Sequence, residues 1–154
     1  MIPMDIVIRK YMADDSTIQG IVGSKVAISP VPVNMDFPYL EISIVGGVPL
    51  TEIDEEVYPL ISFSGWGGLL SPDGNETEAA MLNRSNLRSA VVERLRPIMK
   101  GRVGIDEFTL GATTYGPYDL SLGVDLEPPI DYEDVDSKGI YFRTAWRIRM
   151  STRS

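Results

Sequence analysis

The 154-residue chain contains no histidine and no cysteine. Without cysteine no disulfide can form, so nothing in the sequence marks an oxidising compartment. Together the two absences exclude zinc sites built on His or Cys, haem held by either residue, Cys–His and Ser–His–Asp catalysis, and histidine pH switches. No run approaches the ~20 apolar residues that cross a bilayer, and no membrane partner is expected. The opening MIPMDIVIRKYMADD places its basic residues after its apolar ones, the reverse of a signal peptide, so the chain is expected to stay where it is made. Basic residues are scarce as well: 14 Lys and Arg stand against 22 Asp and Glu, a formal net charge of −8. General nucleic-acid binding comes mostly from neutralising phosphates, and an acidic chain is poorly equipped for it.

What is present suits one domain over 1–154, with 44% hydrophobic residues and a length that buries about two-thirds of the unfolded surface. The charge is uneven along the chain. Residues 1–80 hold 3 basic and 12 acidic side chains (net −9), whereas residues 81–154 hold 11 and 10 (net +1). Ordinary surface solvation accounts for such a split; the split also suits a protein that meets copies of itself head to tail.

Met4, Val7, Ile8, Tyr11 and Met12 recur at helical spacing and predict a short first helix. Ser16 and Gln19 read as a capping box for a second turn that stops at Gly23. Lys25–Ser29 reads as a strand before the Pro30–Pro32 break. A second strand follows Phe37-Pro38, with Leu40, Ile42 and Ile44 on one face. Val48–Val57 reads as an acidic hairpin tip, Tyr58–Trp66 as the returning strand, and Gly67–Asn75 as a loop. Asn75 and Glu78 form an N-cap and N3 pair for a long helix reaching Arg96, with Leu87, Ala90, Val91, Leu95 and Ile98 as its stripe and Pro97 at its end. Arg102–Ala112 is expected as one strand. Tyr118–Asp125 is expected as another, with Leu120, Leu122 and Val124 on one face. Leu126–Lys138 reads as a proline-stiffened acidic loop. In the last strand Ile140, Phe142, Thr144, Trp146, Ile148 and Met150 alternate strictly with Tyr141, Arg143, Ala145, Arg147, Arg149 and Ser151. The expected class is α+β: a mostly antiparallel sheet in the order α-β-β-β-α-β-β-β, with the helices on one face.

The chemistry-bearing candidates are few. Asp131, Glu133, Asp134 and Asp136 lack the alternating oxygens, the sixth-position Gly and the twelfth-position Glu of a calcium loop. Gly65-Trp66-Gly67-Gly68 follows a strand but has neither phosphate-loop spacing nor a following Lys-Ser/Thr, and reads as a strand end and turn. Adjacent carboxylates such as Asp14/Asp15, Asp54/Glu55/Glu56 and Asp106/Glu107 diverge and give no acid–base pair across a cleft, so no enzyme and no cofactor are expected. Arg143, Arg147 and Arg149 share one strand face, opposite which Asp119 and Asp125 are expected as cross-strand partners. Arg84 and Arg88 flank the stripe of the long helix. Arginines facing the acidic loop of a neighbouring copy would make a heterologous contact.

The run A-D-D-x-x-I-x-x-I-V-G-x-K-V (Ala13 to Val26), the strand F-P-Y-L-E-I (Phe37–Ile42), the strand ending in Trp66, the long helix and the closing aromatic–Arg strand together resemble the tail-terminator, or tail-completion, proteins of long-tailed bacteriophages. That resemblance implies a ring, usually of six copies, that caps the tail tube, ends its polymerisation and offers the joint to the head. The implied partners are other copies, the major tail tube protein and the head–tail connector or stopper, with DNA only passing through the lumen. The implied place is the tail–neck junction of the virion, and the host cytoplasm during assembly. Ring-interface candidates are then Arg84, Arg88, Arg143, Arg147, Arg149, Asp131, Glu133, Asp134 and Asp136. Loop candidates for tube or neck contact are Glu52, Asp54, Glu55 and Glu56. Two alternatives stay open: another neck or head-closure component, and a small acidic cation- or ligand-binding domain.

Overall fold

A computed structural model describes residues 2–46 and 56–153 of the chain. The first helix, α1 (Met4–Ala13), buries Val7, Ile8, Tyr11 and Met12, the stripe its periodicity predicts. The second, α2 (Ser16–Val22), is capped one residue earlier than expected: the Asp15 carboxylate accepts the Ile18 N–H at 3.0 Å, and Gln19 donates instead to the Ala13 carbonyl. A carboxylate at this position also complements the helix dipole, so it replaces the expected Ser16 box.

Among the described residues, seven strands form the main sheet. They are β1 (Val26–Ile28), β2 (Tyr39–Gly46), β3 (Glu56–Val57), β4 (Leu60–Leu69), β5 (Val103–Ile105), β8 (Tyr118–Glu133) and β9 (Gly139–Thr152). Their order is β1-β2-β4-β9-β8-β5, with β3 also pairing β9. Only β1 and β2 run parallel. A separate hairpin joins β6 (Phe108–Leu110) to β7 (Thr113–Tyr115). The expected strand Arg102–Ala112 is therefore two strands in different sheets. The fold is α+β, with the long helix α3 (Glu78–Lys100) lying across β4, β8 and β9.

Thr77 rather than Asn75 caps α3, its hydroxyl accepting the Ala80 N–H at 3.2 Å. Asn75 belongs to the preceding turn, where its N–H meets the Ser71 hydroxyl. Pro97 sits inside the last turn and the helix runs on to Lys100; the lost bond is only that to the Glu93 carbonyl, on an exposed face. The core lies between α3 and the sheet. Phe63, Phe142, Ile148, Leu87, Leu95 and Ile98 are fully buried there, each contributing about 1.5–3 kcal/mol by leaving water. All six apolar-face positions of the last strand are buried, including Thr144, whose hydroxyl donates to the Glu127 carbonyl at 2.6 Å and accepts from the Trp146 indole.

The Gly-rich run belongs to β4 and is no turn. A Cβ on Gly67 would stand 2.3 Å from the Ala80 carbonyl oxygen, and one on Gly68 would stand 2.8 Å from the Ala80 Cβ. Glycine here lets the first turns of α3 press against the sheet. The acidic loop expected over Leu126–Lys138 is mostly strand as well: β8 continues to Glu133, β9 begins at Gly139, and only 134–138 turn. A bulge at Leu122, which has φ of 51°, breaks the expected face, so Leu120 is buried while Leu122 and Val124 are exposed. The hairpin tip expected over Val48–Val57 lies outside the described residues except for Glu56 and Val57, which form β3.

Candidate functional site

All five arginines singled out in the sequence are engaged within the chain. Arg84 is 8% exposed and holds Glu76 in a fork, Nη1 donating to Oε2 at 3.1 Å and Nη2 to Oε1 at 2.7 Å. Its Nε lies 3.7 Å from Asp131, which also accepts from Arg88 at 3.0 Å. Arg143 stands 3.8 Å from Glu127. Arg147 donates to the Tyr58 carbonyl at 3.2 Å and lies over the Tyr58 ring, and Arg149 pairs with Glu56 at the start of β3. The expected cross-strand partners are different: in the register Asp119 faces Ser151 and Asp125 faces Trp146. Asp119 is instead 3.7 Å from Arg102. Of the loop candidates, Glu52, Asp54 and Glu55 lie outside the described residues.

The acidic candidates separate into two groups. Asp131 belongs to the arginine network that ties α3 to β8. Glu133, Asp134 and Asp136 lie at the end of the β8–β9 hairpin. Glu133 sits against Glu76; their hydrogen bond, desolvation and like charge push its carboxyl above the usual glutamate range. Glu76 is held below that range by its hydrogen bonds to Arg84. Asp134 accepts from the Ser137 hydroxyl at 2.7 Å and from the Asp136 N–H at 3.1 Å, which lowers its pKa and keeps the turn charged and well defined. Among the described residues no three of His, Cys, Asp and Glu gather to hold a metal ion.

Two features escape sequence reasoning. A row of stacked rings crosses four strands on the face away from the helices: Phe37, Tyr39, Trp66, Tyr141 and Tyr132, with centroids 4.3–5.9 Å apart. Tyr39, Trp66, Tyr141 and Tyr132 are register partners, so the signal is one aromatic at the matching position of each strand, legible only once pairing is known. The three inner rings are each stacked on both sides by a neighbour, which binds the four strands together on that face.

The second feature is the free side of β8. The strand β5 pairs it only at Tyr118–Leu120, so among the described residues no strand lies beyond 121–133. That stretch exposes Leu122, Val124, Leu126, Ile130 and Tyr132, each at 40% or more. At the opposite edge of the sheet the chain itself occupies the outward groups of Val26: its carbonyl accepts from Arg9 at 2.7 Å and its N–H donates to the Ser24 carbonyl. An open, apolar edge is an association surface, because unpaired backbone and exposed apolar side chains both gain from a partner.

A hollow of about 540 Å³ between α2 and α3 offers no comparable chemistry. Its Arg94 is bonded to the Tyr11 carbonyl and lies over the Tyr11 ring. Among the described residues no helix is long and apolar enough to cross a membrane. No protein-family model and no curated protein matches the chain.

Proposed function

We propose that the protein is a structural, ring-forming subunit of the tail-terminator kind, a hexamer that caps a phage tail tube, ends its polymerisation and presents the joint to the head–tail connector. The observation that supports this reading is the edge of β8 that is unpaired among the described residues, with five exposed apolar side chains along it. Unpaired backbone with exposed apolar side chains is a surface that a neighbouring protein of an assembly would cover. In this reading the ring needs no cofactor and no catalytic group, and DNA passes through a lumen whose acidic subunits do not hold phosphates. The ring is part of the virion at the tail–neck junction and assembles in the host cytoplasm. Of the loop offered to tube or neck in this reading, Glu56 is the described residue, and it pairs with Arg149.

Electron microscopy of particles assembled without the protein tests this. Overlong or headless tails are expected. Full heads that leak DNA would assign the protein to head closure instead, and particles of normal form would overturn both readings.

A further inference from the structure

The arginines expected to meet a neighbour's acidic residues are paired at home, so an acidic surface at the hairpin end is left facing outward. The turn at 134–138 presents Val135, 86% exposed, between Asp134 and Asp136, with Glu133 and Lys138 beside it. Four charged groups leave this tip two negative charges in net. The tip is held in shape by the bonds of Asp134 to Ser137 and Asp136 and by the Lys138 N–H to the Asp134 carbonyl.

A surface of the opposite kind lies at the other end of the molecule. Asp131 near the tip is fastened to Arg84 and Arg88 in the first half of α3, whereas Gly123 packs against Ile98 and Met99 at the far end of that helix. Register against β9 places Val124 opposite Arg147 and Glu133 opposite Ile140, seven residues of rise, so tip and base lie roughly 23 Å apart. The base carries a shallow hollow of about 490 Å³ lined by Glu93, Arg96, Pro97, Lys100 and Gly101. Arg102 follows, 73% exposed, and Met99 beside it is 50% exposed. Glu93 offsets Arg96 at 2.5 Å and Asp119 stands 3.7 Å from Arg102, which leaves Lys100 in excess.

We propose that the tip of one copy seats in the base of the next: Val135 enters the Pro97–Gly101 hollow, and Asp136 and Glu133 meet Lys100, with the exposed Arg96 exchanging Glu93 for the incoming carboxylates. An exposed apolar residue beside acids meets a shallow hollow at Pro97 whose charges leave Lys100 in excess, and a second copy supplies both surfaces. The contact is heterologous, joining different surfaces of identical subunits, and it closes into a ring when each step adds a fixed rotation. It rests on the ring reading above and names the subunit contact that this reading requires.

Sedimentation velocity of the full chain tests it with three variants, each checked to unfold at no lower temperature than the wild type. The tip variant Glu133→Lys/Asp136→Lys and the base variant Arg96→Glu/Lys100→Glu should each associate at least tenfold more weakly than the wild type. Mixed in equal amounts they should recover the wild-type assembly mass, because a basic tip then meets an acidic base and the unaltered tip and base of the two variants also match. Val135→Ser, which changes no charge, should weaken association at least tenfold. A wild type that stays monomeric, a charge variant that assembles normally, or a mixture that remains dissociated would overturn the contact. Should overlong tails still form in the absence of the protein, the terminator reading survives that loss; should tails be normal while the mixture assembles, the contact survives instead.

Discussion

Gly67 offers the sharpest test of how α3 is seated. It is the extra residue where β4 loses register with β9, and an added Cβ would lie 2.3 Å from the Ala80 carbonyl oxygen and 2.9 Å from the Arg84 nitrogen. Both neighbours are helix backbone, so neither can rotate aside. Relief requires the first two turns of α3 to retreat by nearly 1 Å, and a gap of that size forfeits a quarter to a half of each dispersion contact across it. Overpacking of this kind costs about 1–3 kcal/mol, and with backbone on the receiving side the upper figure applies. Gly67→Ala should therefore lower stability by about 3 kcal/mol, roughly 6–12 °C in Tm for a chain of this size. The matched control is Gly20→Ala in α2, where nothing lies within 4 Å and the residue is exposed. Removing glycine from that helix should raise stability by about 0.5–1 kcal/mol. Urea unfolding followed by Trp66 and Trp146 fluorescence reads both. A Gly67→Ala protein as stable as the wild type would refute the close helix–sheet approach.

Two further outcomes follow from the caps and the carboxylate cluster. Thr77→Ala should cost about 1 kcal/mol by removing the cap of α3, whereas Asn75→Ala should change stability by no more than about 0.5 kcal/mol; the reverse ranking in thermal unfolding would restore Asn75 as the cap. Glu133, raised by its contact with Glu76, holds a proton more tightly folded than unfolded, so its contribution favours the fold at low pH and is lost as pH rises through its folded value. Glu133→Gln should accordingly raise Tm at pH 7, with the gain fading as pH falls below the ordinary glutamate range. A gain that does not vary with pH would remove the Glu76 repulsion as its cause.

The elements that sequence reasoning recovers are those whose pattern is imposed by one buried face. The stripes of α1 and α3 and the alternation of β9 are of this kind, since burial against a single layer writes a period of 3.6 or 2 directly into the side chains. The second half of β8 carries no such mark. Its residues Leu126–Glu133 lie along an open edge, where acids stay solvated and Pro128 and Pro129 need supply no N–H to a further strand, so a strand reads as a loop. The Gly-rich run misleads for a related reason, because a glycine demanded by a helix pressing on a strand looks the same as one demanded by a turn. Of the candidate site, the acidic residues at the hairpin end are legible and the fate of the arginines is not.

The sequence by itself determines that the protein is an acidic α+β chain without histidine or cysteine, and which faces of its main elements are apolar, because composition and local periodicity follow from burial alone. Tertiary structure decides which charges remain available. Arg84 finds Glu76 and Asp131, Arg149 finds Glu56, and Arg88 finds Asp131 across 43 residues of chain. A charge acts over a few ångströms, and only the folded chain sets which partner stands that close.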